Sequence, residues 1–107
     1  SIAGRNKSVV SGAHYTASKA GILGLTRQLS QESSPYGINI NAICPSQTET
    51  DMLKESMTED ELQKLSANIP LRRLAEPREQ SLPVLFLCSD ASSYITGCVL
   101  DINGGQL

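Results

Sequence analysis

Ile38-Asn39-Ile40-Asn41-Ala42-Ile43-Cys44-Pro45 is a short, isoleucine-rich run closed by a proline, and it predicts a strand buried on both faces. Asn39 and Asn41 interrupt its apolarity. Upstream, Ala13 to Ser34 carries apolar or small residues at Ala17, Ala20, Ile22, Leu25 and Leu29, a helical spacing that Pro35 and Gly37 terminate. Gly21 and Gly24 each weaken such a helix by about 1 kcal/mol relative to alanine, a cost that makes sense where another helix packs closely, so a subunit contact is expected on that face. Downstream, Thr58-Glu59-Asp60-Glu61 has the capping-box pattern and opens a short helix through Leu62 and Leu65 that ends before Pro70. A further helix opens with Pro77 in its first turn and runs through Leu82, Val84, Leu85 and Leu87. Pro83 lacks an amide hydrogen and should kink that helix or delay its start. Cys98 to Ile102 alternates as a second strand, and Asn103-Gly104-Gly105 closes it as a turn.

The order is therefore long helix, strand, two helices, strand, which predicts the α/β class. A strand, a helical crossover and a second strand make a right-handed unit of parallel sheet, the piece from which doubly wound folds are assembled. Such sheets do not normally stop at two strands. Residues 1–107 thus read as a single incomplete domain.

Length and composition narrow the function. A chain of 107 residues has room for one domain with a modest core. Nine Lys and Arg against eleven Asp and Glu give a formal charge of -2, which offers no basic patch, so neither nucleic acid nor a membrane is an expected partner. No apolar run approaches bilayer length and the first seven residues lack the apolar stretch of a signal peptide; a cytoplasmic protein is expected. The three dispersed cysteines, Cys44, Cys88 and Cys98, suit neither a disulfide framework nor zinc spacing and read as reduced core thiols, with no metal expected. A site built from them with His14 is the alternative.

Tyr15 and Lys19 lie four apart on the first helix, so both project from one face, one turn from each other. A tyrosine hydroxyl ordinarily titrates near ~10 and is a poor base at neutral pH, but a neighbouring ammonium stabilises the phenolate and lowers that value. Such a pair can pass a proton to or from an alcohol oxygen, with Lys19 also free to hold a cofactor hydroxyl. Alone, this spacing is more often a solvated helix face.

Tyr15-Thr16-Ala17-Ser18-Lys19-Ala20-Gly21 resembles the active-site helix of the short-chain dehydrogenase/reductase family, whose signature is Tyr, three residues, then Lys. Asn41-Ala42-Ile43-Cys44-Pro45, followed by Thr48, Thr50 and Met52, is similar to the family's strand and loop at the nicotinamide. Tyr94-Ile95-Thr96-Gly97, then Asp101-Ile102-Asn103-Gly104-Gly105, is similar to its last strand and ending. Three segments in the right order are far more specific than any one. The resemblance is to members like the 3-oxoacyl-[acyl-carrier-protein] reductases.

The resemblance implies the C-terminal portion of a Rossmann-like fold, with NAD or NADP as cofactor and a small-molecule alcohol or carbonyl as substrate. It implies that Tyr15 is the general acid or base and that Lys19 binds the nicotinamide ribose. Ser1-Ile2-Ala3-Gly4, fourteen positions before Tyr15 at Ser1, looks like the stretch whose serine orients the substrate oxygen. Ser8 and Ser11 are taken as loop residues. Pro45 and Ser46 would lie beside the cofactor, and Thr48 through its backbone and Thr50 through its hydroxyl would contact its carboxamide or phosphates. Thr50 also suits a helix cap, with Asp51 and Met52 beginning a helical turn. Where the family commonly has Pro-Gly this chain has Pro45-Ser46, and the added side chain narrows the room for backbone to approach the nicotinamide. His14 is either a substrate contact or a solvated loop histidine. A homo-oligomer formed through the Tyr15-bearing helix and the C-terminal strand region is expected.

A dinucleotide site of this class needs a glycine-rich turn between a first strand and first helix, and an acidic or basic residue beyond it that chooses between NAD and NADP. These residues contain neither. The expectation is a C-terminal catalytic part whose cofactor-holding half lies upstream, inactive in isolation. The alternative is a non-catalytic assembly module that uses the edge of the Ile38 to Cys44 strand and the small-residue helix face. The loop from Asp51 to Ile69 that would cover a substrate has only generic apolar residues, which leaves the substrate open.

Overall fold

The isoleucine-rich run does enter a parallel sheet. Strand β1 (Ala42–Pro45) pairs with β2 (Val99–Ile102), Ala42 opposite Val99 and Pro45 opposite Ile102. The structure, a computed structural model, describes residues 1–8 and 11–107. β1 is shorter than the run because the two asparagines replace ladder bonds with side-chain bonds. Asn39 Nδ2 donates to the Ser93 carbonyl at 3.0 Å and Asn41 Nδ2 to the Ile95 carbonyl at 2.8 Å, while Asn41 Oδ1 accepts from the Cys98 amide at 2.9 Å. Burial on both faces is not realised either: Cys44 is fully buried but Ile38 is half exposed. Among the described residues no third strand lies against the free edge of β1.

Helix α1 (Ala13–Ser33) precedes the sheet, extended by a 3-10 turn at Ser34–Tyr36, and Gly37 ends it in the left-handed conformation at φ +73°. At 1.5 Å per residue it is about 31 Å long. Within this chain it buries a face other than the one carrying Ala17, Ala20, Ile22 and Leu25. Leu23, Thr26 and Ser30 point inward, whereas Ile22 and Leu25 are 48% and 55% exposed and Ala17 and Ala20 face out. The inward hydroxyls satisfy themselves within the helix: Thr26 donates to the Ile22 carbonyl and Ser30 to the Arg27 carbonyl, each at 2.8 Å. Small residues are needed there because Gly97 packs onto Ser30; a Cβ on Gly97 would fall 2.7 Å from the Ser30 hydroxyl.

Three helices rather than two make the crossover. Helix α2 (Asp51–Ser56) forms in the stretch expected to be loop, because Thr50 caps it by accepting from the Leu53 amide at 3.2 Å. Helix α3 (Glu59–Ala67) carries the predicted capping box between Thr58 and Glu61. Helix α4 (Pro77–Leu87) starts on Pro77 without delay and keeps Pro83 inside it. The bond that Pro83 forgoes is the one to the Glu79 carbonyl in the first turn, where a capping box between Glu76 and Glu79 and the Arg73 ion pair already fix the chain. After β2, Gly104 and Gly105 turn at φ +60° and +89°, and a Cβ on Gly104 would meet Ile69 at 2.7 Å.

Of the cysteines only Cys44 is a core thiol; Cys88 is exposed and Cys98 half-buried, all three free. No group of three His, Cys, Asp or Glu among the described residues could hold a metal ion, so the cysteines and His14 do not assemble into a site. No helix among the described residues is long and apolar enough to cross a membrane.

The radius of gyration, 15.4 Å, exceeds the about 13 Å of a compact domain of this length. The accessible surface, 7209 Å², likewise exceeds the roughly 5,800 Å² expected for the mass. Large apolar side chains are part of that surface: Leu82, Val84, Leu85 and Phe86 of α4 are exposed along with Ile22 and Leu25 of α1.

The Arg73 guanidinium holds the Glu79 carboxyl at about 2, against its ordinary 4.5, through two hydrogen bonds at 2.6 and 2.7 Å, aided by the Glu76 amide. A carboxyl depressed in the fold stabilises it fully above its unfolded value and loses that contribution as pH falls through the folded one. The melting temperature of Glu79→Gln is therefore expected below the parent's at neutral pH. The gap should narrow between about pH 4.5 and 2, and added salt should shrink it, as for any exposed pair. A gap independent of pH in thermal denaturation would contradict the assignment.

Candidate active site

Ser1, Tyr15 and the end of β1 come from distant parts of the sequence, and a backbone contact brings them together. The 3-10 turn Ile2–Gly4 lies directly on α1: a Cβ built on Gly4 would sit 2.8 Å from the Lys19 carbonyl oxygen and 3.2 Å from a Leu23 methyl. Ala3 beside it is buried. Arg5, which ends the turn, reaches Asp101 of β2 at 3.4 Å and ties the turn to the sheet.

The result is a cavity of about 490 Å³ at the carboxyl end of β1, walled by Ser1, Tyr15, Pro45, Ser46, Gln47 and Gln106 among others. Carboxyl ends of parallel strands are where ligands bind in open α/β sheets. Ser1 Oγ caps the turn by accepting from the Ala3 amide at 3.2 Å, which leaves its own O–H to donate elsewhere. Four of the seven residues singled out from sequence, Ser1, Tyr15, Pro45 and Ser46, line this one cavity.

The other three lie outside its wall. Lys19 stacks its ammonium over the Tyr15 ring, 5.3 Å from the centroid, a cation–π geometry. Thr48 forms a parallel bridge with Ala75, in which the Glu49 amide and the Gln47 carbonyl bond Ala75 at 2.8 and 3.1 Å. Backbone groups alternate along an extended chain, so the N–H and C=O of Thr48 itself face away from Ala75. Thr50 is engaged as the cap of α2, its oxygen accepting a hydrogen bond from the Leu53 amide while its O–H stays available. His14 is exposed and does not line the cavity.

Sequence reading missed several wall residues. Ser8 and Ser11, taken as loop residues, both line the cavity, the Ser11 amide donating to Ser8 Oγ at 2.9 Å. Gln106 carried no motif, yet its side-chain oxygen accepts a hydrogen bond from the Ser46 hydroxyl at the cavity wall. The departure at Ser46 was the available signal: a hydroxyl where glycine is common needs a partner.

The sequence matches a family of proteins described as enoyl-(acyl carrier protein) reductases over residues 1–106. It is 45% identical over 106 residues to the protein FixR of Bradyrhizobium diazoefficiens, covering 99% of this chain and 37% of that one. Its fold is similar to a 3-oxoacyl-[acyl-carrier protein] reductase from Brucella melitensis, with a TM-score of 0.93 and 33% identity over all of this chain and 40% of that one. A Brucella melitensis reductase of the same name with bound NAD aligns at TM-score 0.85 and 34% identity, over all of this chain and 38% of that one. The chain thus spans about two fifths of the length of the proteins it matches.

Two glycines separate packing from propensity. Gly4→Ala must push the turn off α1 and is expected to destabilise by about 1–3 kcal/mol. Gly21→Ala, with nothing within 4 Å of the added carbon, should stabilise this chain by about 0.5–1 kcal/mol through helix propensity. Denaturant titration of both checks the signs, and a tolerated Gly4→Ala would remove the contact on which the cavity depends.

Proposed function

Because the chain belongs to the short-chain dehydrogenase/reductase family, we propose that it is the C-terminal catalytic part of an oxidoreductase that interconverts an alcohol and a carbonyl with NAD or NADP. The observation that carries this reading is the cavity shared by Ser1 and Tyr15 at the carboxyl end of β1, with the Lys19 ammonium stacked on the tyrosine ring. A nicotinamide bound here supplies or takes the hydride.

The residues fit such a ring. Pro45 and Ser46 offer it one wall; the outward N–H and C=O of Thr48 and the free O–H of Thr50 suit its carboxamide or phosphates. Lys19, stacked on the Tyr15 ring outside the cavity, would hold the ribose. What the chain itself does is position the substrate and move one proton. Ser1 donates its O–H to the substrate oxygen and fixes it beside Tyr15. In reduction the Tyr15 hydroxyl hands its proton to that oxygen as the carbonyl becomes an alcohol; in oxidation it takes the proton back. The positive charge over the ring favours negative charge on the phenol oxygen during the transfer.

The exposed apolar faces support two further parts of the reading. The remainder of the sheet and its helices would complete the single domain against the free edge of β1. A second copy would cover Gly21, Ile22 and Leu25 of α1, where a neighbour can approach closely, and the C-terminal strand region. The cytoplasm is the compartment proposed. Relatives named for thioester substrates make 3-oxoacyl thioesters the first substrates to try.

With the whole protein and a 3-oxoacyl thioester, Tyr15→Phe is expected to lower kcat by about 10²–10⁴-fold while cofactor binding, followed by fluorescence, is retained. Lys19→Ala should lower kcat and weaken cofactor binding together. Residues 1–107 alone should give no hydride transfer. A Tyr15→Phe enzyme at the parental rate, or turnover by the 107-residue chain, would contradict the reading.

A further inference from the structure

Resting on that reading, we propose that Gln106 determines substrate specificity: clamped by Ser46, its carboxamide presents an N–H donor to the substrate, which carries an acceptor oxygen beyond the one that reacts. Gln106 lies on the wall of the Tyr15 cavity, ninety-one positions away in sequence. Its Oε1 is taken up by the Ser46 hydroxyl, and none of the hydrogen bonds of the described residues uses its Nε2. A primary amide with its oxygen engaged has two N–H donors left, and these seek an acceptor.

The cavity is the substrate side of the site. Ser1 and Tyr15, proposed to touch the reacting oxygen, line it, whereas Lys19, Thr48 and Thr50, proposed to hold the cofactor, do not. Only Pro45 and Ser46 border both. An amide donor on this wall therefore reads a second oxygen of the substrate, as in a ketone bearing an ester, thioester or carboxylate. The Ser46 hydroxyl, donating to Oε1, fixes the tail residue in place and turns the Nε2 end of the amide away from itself. Glycine at position 46 would offer no such bond. The tail is otherwise held by a turn, the Gln106 amide donating to the Asn103 carbonyl at 3.1 Å, so the wall is formed before a substrate arrives.

The test compares two ketones of equal length with the whole protein: a 3-oxo ester and the plain ketone lacking the ester oxygens. The parent should prefer the oxo ester, and Gln106→Leu should reduce the ratio of their kcat/KM values about tenfold, as expected for a donor lost from a buried contact. Gln106→Glu, which keeps the size but offers only acceptors, should reduce it at least as far, and Ser46→Ala should reduce it less. The KM for the cofactor should not move in the Gln106 variants. Because each ratio is taken within one preparation, a change in the folded fraction cancels. Variants that keep the parental ratio while the parent turns over ketones, or a shift in preference towards a donor-bearing hydroxyketone, overturn the assignment alone. A parent inactive on both ketones and on 3-oxoacyl thioesters overturns the catalytic reading and this inference with it.

Discussion

The site depends on one close approach, the Gly4 backbone against the Lys19 carbonyl of α1. A side chain at position 4 would hold the turn away from the helix, and Ser1 would lose its place across the cavity from Tyr15. The contact exploits the absence of a Cβ on one side and a regular helix surface on the other. The Arg5–Asp101 pair adds a second tether from the same turn to β2. At 3.4 Å and with Arg5 partly in solvent, that pair orients more than it stabilises.

The sheet supplies the remaining constraint. In-register parallel pairing of β1 with β2 puts the carboxyl end of β1 beside the C-terminal tail, so Ser46 and Gln106 meet sixty residues apart. The short bridge between Thr48 and Ala75 then steers the chain into α2. Two strands bury little, and the large exposed residues of α1 and α4 show where more protein would gain most by packing. Each Leu, Ile or Phe side chain covered there is worth about 1.5–3 kcal/mol. That gain is the physical case for a completing half and a second copy.

The helices with local signals were legible in sequence. Thr58 to Glu61 spelled a capping box that forms as read, and Pro77 marked the start of α4. The parallel pairing followed from the order of elements, strand, helical crossover, strand. What failed depended on tertiary context. Apolar spacing on α1 identified a real face, but the inward side turned out to be Leu23, Thr26 and Ser30, because Gly97 demands small residues there. Asn39 and Asn41 were seen as interruptions without the further step that their amides would bond residues 93 to 98 and shorten the strand. Helix α2 was legible only at its start, where Thr50 suited a cap and Asp51 and Met52 a helical turn, and its continuation to Ser56 was read as loop. Of the candidate residues Tyr15, Ser1, Pro45 and Ser46 share one cavity wall, whereas Gln106 on the same wall lies beyond the last element with no periodicity or motif to mark it.

A crystal structure of the whole protein with a nicotinamide cofactor bound measures the central claim most directly. The account predicts the nicotinamide against Pro45 and Ser46, with the Tyr15 hydroxyl open to the same cavity at about 3 Å from the oxygen of a bound alcohol, and the Lys19 ammonium on the ribose hydroxyls. A cofactor whose nicotinamide lies away from the Ser1–Tyr15 cavity, or whose ribose Lys19 does not touch, would contradict it.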